Sequence, residues 1–241
     1  MALSDRPSRR PLYLQVRDLL TERIARGTWK AGSHIPNEMD LAREVGVSSG
    51  TVRKALEVME TQRLITRRQG RGTFVNDPSS DGVADRFSNI RGAGGQRVRG
   101  RVSSREITEG IATSVERDRL RLPGDATVFR IHRVREDAGR NFLVEDITVP
   151  AALFASLLDK RAMVDDIVSL AQHYGILLGR GEERISTIVS SAPVAQALGV
   201  TAGTLVIMLD RVLFMLETDI PVEWRIAYSH LAERYYVSEI A

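Results

Sequence analysis

The sequence predicts an α+β protein of two domains. Two observations carry this. Charge is spread unevenly: residues 1–76 hold 14 Lys+Arg against 8 Asp+Glu, a net of +6, while residues 77–241 hold 20 against 23, a net of −3. The apolar spacing also changes along the chain, from a helical period in the first third to interleaved strand-like and helix-like runs beyond it. With 241 residues, 43% of them hydrophobic, there is enough apolar surface for two small cores. The expected division is 1–76 for a first domain, 77–96 for a linker and 97–241 for a second domain.

Composition excludes several function classes. The chain has no cysteine, which removes disulfides, thiol nucleophiles and cysteine-based zinc sites together. No apolar run approaches the ~18 residues of a membrane span. The opening MALSDRPSRRPLYLQ has no apolar core of a secretory signal, so a cytoplasmic protein with no membrane partner is expected. His34, His132, His173 and His230 are scattered without metal spacing, and no G-x-S-x-G elbow occurs. No metal, cofactor or catalytic residue is expected.

In the first domain, Leu12, Val16, Leu19, Leu20 and Ile24 share one helix face, and Gly27 follows as a stop. Asn37 is a suitable N-cap for a short helix that turns Leu41, Ala42 and Val45 inward, and Gly46 ends it. Ser48 caps a third helix in which Val52, Ala55, Leu56 and Met59 share a face. Two β-prone runs, Leu64–Arg67 and Thr73–Val75, flank the basic turn RQGRG, a hairpin signal.

Two helices joined by a Gly turn, the second with a polar outer face, form a helix-turn-helix. The second helix of such a unit enters the major groove with its N-terminal residues on base edges. Here these are Ser48, Ser49, Thr51, Arg53 and Lys54, with Gly50 among them. Hydroxyls suit phosphates and bases, and Arg53 can reach guanine bidentately. The hairpin would be a wing in which Arg67, Arg68 and Arg71 neutralise phosphates, Gln69 and Thr73 add polar contacts, and Gly70 and Gly72 allow close backbone approach.

Residues 77–100 are rich in Gly, Ser and Asp and form the natural connection. Beyond it, strands are expected at Thr127–Arg135, Asn141–Val149, Glu183–Ser190, Leu205–Leu216 and Pro221–Ala227. Helices are expected at Thr113–Leu120, Ala151–Leu158, Val164–Tyr174 and Pro193–Leu198. The pattern is a mostly antiparallel sheet with helices. Alternation puts Phe129, Ile131, Arg133 and Arg135 on one strand face, and Leu143, Glu145, Ile147 and Val149 on another. Charges on apolar faces are costly unless paired. Two readings stand open: an internal Arg–Glu pair that supports the sheet, or a pocket where the arginines hold an anionic small molecule and Glu145 fixes a hydroxyl or amine.

Pro11-Leu12-Tyr13, Ile35-Pro36-Asn37-Glu38, Leu41-Ala42, Gly46-Val47-Ser48, Thr51-Val52-Arg53-Lys54-Ala55-Leu56 and Gln69-Gly70-Arg71-Gly72-Thr73-Phe74-Val75 resemble the winged helix-turn-helix of the GntR family of bacterial transcriptional regulators. Leu120-Arg121-Leu122-Pro123-Gly124, Arg133-Val134-Arg135, Phe142-Leu143-Val144-Glu145, Tyr174-Gly175, Leu198-Gly199-Val200 and Pro221-Val222-Glu223 resemble the UTRA effector-binding domain of its HutC subfamily, which has a chorismate-lyase-like fold. The resemblance implies a homodimeric repressor on a palindromic double-stranded operator, controlled by a small metabolite. It also implies effector contacts from Arg133, Arg135, Glu145, Asp165, Glu223 and Tyr228. Asp165 stands where the family often has a phosphate-binding serine, and its carboxylate repels phosphate. That favours an effector bearing a carboxylate or an amine. A chorismate-lyase-like enzyme tethered to DNA and a non-specific architectural DNA binder are the alternatives. Turnover of a metabolite or sequence-independent footprints would reveal them.

Overall fold

The computed structural model describes residues 10–76, 87–158, 165–216 and 218–238. The chain divides into two compact units, Met1–Ala84 with Ala171–Leu177, and Asp85–Leu170 with Leu178–Ala241.

The first unit has three helices, α1 (Leu12–Ala25), α2 (Glu38–Val45) and α3 (Ser49–Thr61). Three short strands, β1 (His34–Ile35), β2 (Ile65–Arg68) and β3 (Gly72–Val75), pair antiparallel in the order β1-β3-β2. Val16, Leu20 and Ile24 of α1 meet Leu41, Ala42 and Val45 of α2 and Val52, Ala55, Leu56 and Met59 of α3 in one core. Leu12, expected on the buried face of α1, lies at its solvent end and is exposed. The Asn37 side chain accepts from the Met39 and Asp40 amides, and Ser48 accepts from Thr51, so both expected caps satisfy amides that the helix cannot. Gly46 takes the left-handed conformation between α2 and α3 at φ 78°.

The second unit is built on six antiparallel strands in the order β5-β6-β7-β10-β9-β8. They are β5 (Arg101–Ile111), β6 (Thr127–Asp137), β7 (Arg140–Pro150), β8 (Leu178–Val189), β9 (Leu205–Met215) and β10 (Pro221–Ser229). On one sheet face, α4 (Ser114–Leu120) packs near Val128 and Trp224, and α6 (Ala192–Leu198) near Val134, Val144 and Val206. The helix α5 (Ile167–His173) is shorter than expected, and Val164 of that stretch lies outside the described residues. The expected helix Ala151–Leu158 is instead a 3-10 turn at Ala151–Leu153, entered from Pro150 with no side-chain cap.

Four strands fall where none was expected, β1 in the first unit and three in the second. β5 is an edge strand with one buried residue, Ile107, and is defined by its long ladder to β6 rather than by apolar alternation. Of the expected 77–96 linker, residues 77–86 lie outside the described residues. Residues 88–98 instead form a small structure in which β4 (Ile90–Arg91) pairs with β11 (Tyr235–Tyr236), while Ile90 and Val98 pack with Phe142, Leu143 and Leu209.

Candidate functional sites

The candidate nucleic-acid surface lies on the first unit. Ser48, Gly50, Arg53 and Lys54 are exposed at the start of α3, with Ser49 and Thr51 half-buried beside them. The Ser48 hydroxyl lies 2.9 Å from that of Thr51. Arg53 projects outward, its Nε donating to Glu38 Oε2 at 2.9 Å. Lys54 sits over the Tyr13 ring at 4.5 Å, a cation–π contact that steadies a side chain otherwise free to swing.

In the hairpin of β2 and β3, Arg68, Gln69, Gly70 and Arg71 are exposed and Gly72 and Thr73 half-buried. Gly72 sits at φ 103° with the His34 ring against it: a Cβ there would lie 2.2 Å from Nε2. Arg67 behaves differently from its neighbours. Its Nη2 donates to the Arg53 carbonyl at 3.1 Å and its amide donates to Glu60 at 3.1 Å, so it ties the hairpin to α3.

The second unit carries a charge cluster on the sheet face opposite α4 and α6. Strand register lines up two adjacent rungs. One runs Arg105, Arg133, Glu145, Ala227, Leu209, Ile185, and the next runs Ile107, Ile131, Ile147, Arg225, Arg211, Glu183. Glu145 is fully buried. Its Oε2 accepts from Arg133 Nε at 2.5 Å and Arg135 Nε at 2.8 Å, and its Oε1 accepts from Arg225 Nη1 at 2.9 Å. Burial alone would raise the Glu145 carboxyl. The three guanidiniums outweigh it and hold the group well below the usual carboxylate range. Burial lowers Arg135, while Glu145 and the neighbouring Glu183 and Glu223 carry Arg225 upward against its own burial.

Glu223, also fully buried, accepts from Arg211 Nη2 at 2.7 Å and Nε at 3.2 Å. Arg225 Nη2 reaches Glu183 at 3.0 Å, and the Tyr236 hydroxyl donates to the same carboxylate. Asp165 stands at the rim, its carboxylate bonded to Arg105 and its carbonyl accepting from Arg135. Arg133, Arg135, Glu145, Asp165 and Glu223 are therefore brought together. The internal Arg–Glu pair is present, with Arg225 as a third partner.

Tyr228 is not brought to this cluster. It follows Ala227 on β10 and faces the other way, paired with Val144 and Met208, with burial and the nearby Asp146 raising its hydroxyl pKa. The tyrosine that does reach the cluster is Tyr236, delivered by β11 rather than by the sheet; burial, and then its bond to Glu183, push it up to about 12. Arg211 carried a usable signal, since it stands among apolar residues at alternate positions as Arg133 does, whereas Arg225 alternates with Glu223 and Ala227 and stands out less. Glu183 gave little, being on an exposed edge strand, and Tyr236 gave none.

Residues 12–75 match the gntR family of bacterial regulatory proteins, and residues 94–235, more than half of the chain, match the UTRA domain. The chain belongs to the GntR regulators that carry a UTRA domain. A relative of this GntR protein from Escherichia coli, named "Probable fructoselysine utilization operon transcriptional repressor", is 32% identical over 137 residues, which is 56% of this chain and 55% of the relative. The chain thus matches about half the length of that relative. The "Histidine utilization repressor" of Pseudomonas putida is 31% identical over 146 residues, 59% of this chain and 58% of its own. The crystal structure of PhnF from Mycobacterium smegmatis superposes with a TM-score of 0.53 at 22% identity, covering 94% of this chain and 99% of that one, which shows a shared fold.

Proposed function

We propose that this GntR/UTRA protein is a homodimeric, sequence-specific DNA-binding regulator, acting in the cytoplasm as a repressor, whose operator affinity is set by a small metabolite. Ser48, Ser49, Thr51, Arg53 and Lys54 contact bases and phosphates, and Arg68, Gln69, Gly70, Arg71, Gly72 and Thr73 follow the adjacent backbone. Arg67 acts chiefly by fixing the hairpin against α3, which is supported by its bonds to Arg53 and Glu60. The relatives' names support regulation rather than catalysis.

The observation that carries the effector reading is a pair of buried atoms. Glu223 Oε2 and Arg225 Nε have no hydrogen-bond partner among the described residues. An acceptor and a donor left unmade two residues apart on β10 are costly, and a polar ligand relieves both. Charge supports its sign. Arg105, Arg133, Arg135, Arg211 and Arg225 stand against Glu145, Asp165, Glu183 and Glu223, one positive charge in excess. The effector is then a small carboxylate with an amine or hydroxyl donor for Glu223.

A thermal-shift panel of small carboxylates, amino acids, sugar acids and sugar phosphates tests this. A ligand that binds only the folded chain stabilises it by ~2.7 kcal/mol at a hundredfold excess over Kd. Carboxylates should raise the melting temperature, and should change the affinity for duplexes selected from a random pool. Binding of all duplexes alike would overturn the sequence-specific reading, and steady turnover of a panel member would overturn the regulator reading. A monomer in sedimentation would overturn the symmetric one.

A further inference from the structure

The cluster in the second unit does not end at the sheet. Arg211, which pairs with Glu223 through Nη2 and Nε, donates through Nη1 to the Phe87 carbonyl at 2.7 Å. Tyr236, whose hydroxyl donates to Glu183, accepts at that same hydroxyl from Asn89 Nδ2 at 2.8 Å. Arg91 and Arg97 hold the intervening Ser88 carbonyl at 3.0 and 2.9 Å. Phe87, Ser88 and Asn89 are thus each held by a side chain. Two of these three anchors are members of the cluster, or bonded to one, and the held stretch is where the connecting segment from the first unit arrives in sequence.

We propose that Arg211 and Tyr236 are positioning residues that make the anchorage of residues 87–91 depend on the state of the guanidinium–carboxylate cluster. This rests on the reading of that cluster as the effector site. The chain of contacts is continuous: Arg133 and Arg135 to Glu145, Glu145 to Arg225, Arg225 to Glu183, Glu183 to Tyr236, and Tyr236 to Asn89. Arg211 gives a second route, from Glu223 to Phe87. A ligand that bonds the unpartnered Glu223 Oε2 or Arg225 Nε pulls on the two groups whose other atoms hold Arg211, Glu145 and Glu183. It therefore redistributes bonds that hold the incoming chain. Neither Arg211 nor Tyr236 has to touch the ligand for this.

Hydrogen exchange on the full chain without any ligand tests the coupling. The reporters are the Val98 amide, bonded to the Ile90 carbonyl at 3.0 Å, and the Val237 amide, bonded to the Asn89 carbonyl at 2.9 Å. Glu145→Gln touches neither, and should still speed exchange at both on the order of tenfold, the scale of losing one charged hydrogen bond from a local opening equilibrium. In a Tyr236→Phe, Arg211→Lys background the same substitution should add little. Tyr228→Phe, a hydroxyl removed from the other face, should leave both amides at the wild-type rate. If Glu145→Gln does not fold, Arg135→Lys serves as the perturbation at the rim. Wild-type exchange at Val98 and Val237 in a folded cluster variant, or an undiminished effect in the uncoupled background, overturns the proposal. Because no ligand enters the measurement, failure of the effector panel and failure of this coupling are separate results.

Discussion

Arg133 and Glu145 face each other directly across β6 and β7, both buried, with Nε 2.5 Å from Oε2. Neither could be there alone. A buried carboxylate or guanidinium without its partner costs several kcal/mol. Here one carboxylate serves three guanidiniums, so the two partners are not equivalent.

That asymmetry makes a prediction. Glu145→Ala leaves the buried Arg133 and Arg225 and the half-buried Arg135 without their shared carboxylate, and should cost ~3–5 kcal/mol. Arg133→Ala leaves Glu145 still bonded to Arg135 and Arg225, and should cost clearly less. Urea melts of both variants at pH 7 measure the difference. Equal losses would mean that Glu145 depends on Arg133 alone. The Arg133 variant should also retain operator binding while losing its response to effector.

Arg53 is held by Glu38 in the free protein. Binding DNA must exchange that carboxylate for a base or phosphate. Arg53→Ala should cost ~1–3 kcal/mol on the best duplex and flatten preference at one base pair. Glu38→Ala removes a nearby negative charge and frees Arg53, so it should strengthen binding to unrelated duplexes. Arg71→Ala should weaken all sequences alike and reduce the salt slope by about 1. Fluorescence anisotropy across a salt series separates the three.

The turn glycines should differ from one another. Gly70 lies at φ 68° in open space, so Gly70→Ala meets only the left-handed penalty of ~1–2 kcal/mol. Gly72→Ala meets φ 103° and the His34 ring together, and should cost more. The His34→Ala, Gly72→Ala double variant should recover the steric part of the loss but not the backbone part. Thermal melts of the four proteins provide the comparison.

The helices of the first unit were readable because a one-sided apolar stripe at 3.6-residue spacing has few other solutions, and Asn37 and Ser48 name their own starts. β5 was not readable, since RVSSREITEGI presents polar side chains to solvent on both faces and is a strand only because β6 supplies its hydrogen bonds. In the site, Arg133, Arg135 and Glu145 stood out as charges on apolar faces. The bond from Arg225 to Glu145 did not, because it spans 80 residues and follows from β10 lying beside β7. Tyr228 was expected from the resemblance alone, and one step along β10 from Ala227 turns it to the other sheet face.

The pairing of Glu116 with Arg130 on the other sheet face gives a pH prediction of known sign. Glu116 closes the capping box of α4 with Thr113, and its Oε1 accepts from Arg130 Nε at 2.6 Å. The bond to Arg130, against a smaller opposing effect of burial, takes its pKa from 4.5 to about 2. A depressed folded-state value means that the stabilisation is fully present above the unfolded pKa and is lost as pH falls towards the folded one. Glu145 titrates in the same direction, so wild-type stability should fall through the window from pH 4.5 to about 2. Glu116→Gln keeps the shape of the side chain and removes the titration. The variant should be less stable than wild type at pH 7, and the gap should narrow steadily as the pH is lowered through that window. Urea midpoints at pH 7, 5, 4 and 3, read by circular dichroism, follow this gap. A gap that stayed constant with pH would show that Glu116 supports α4 by shape and capping alone, with no contribution from its charge.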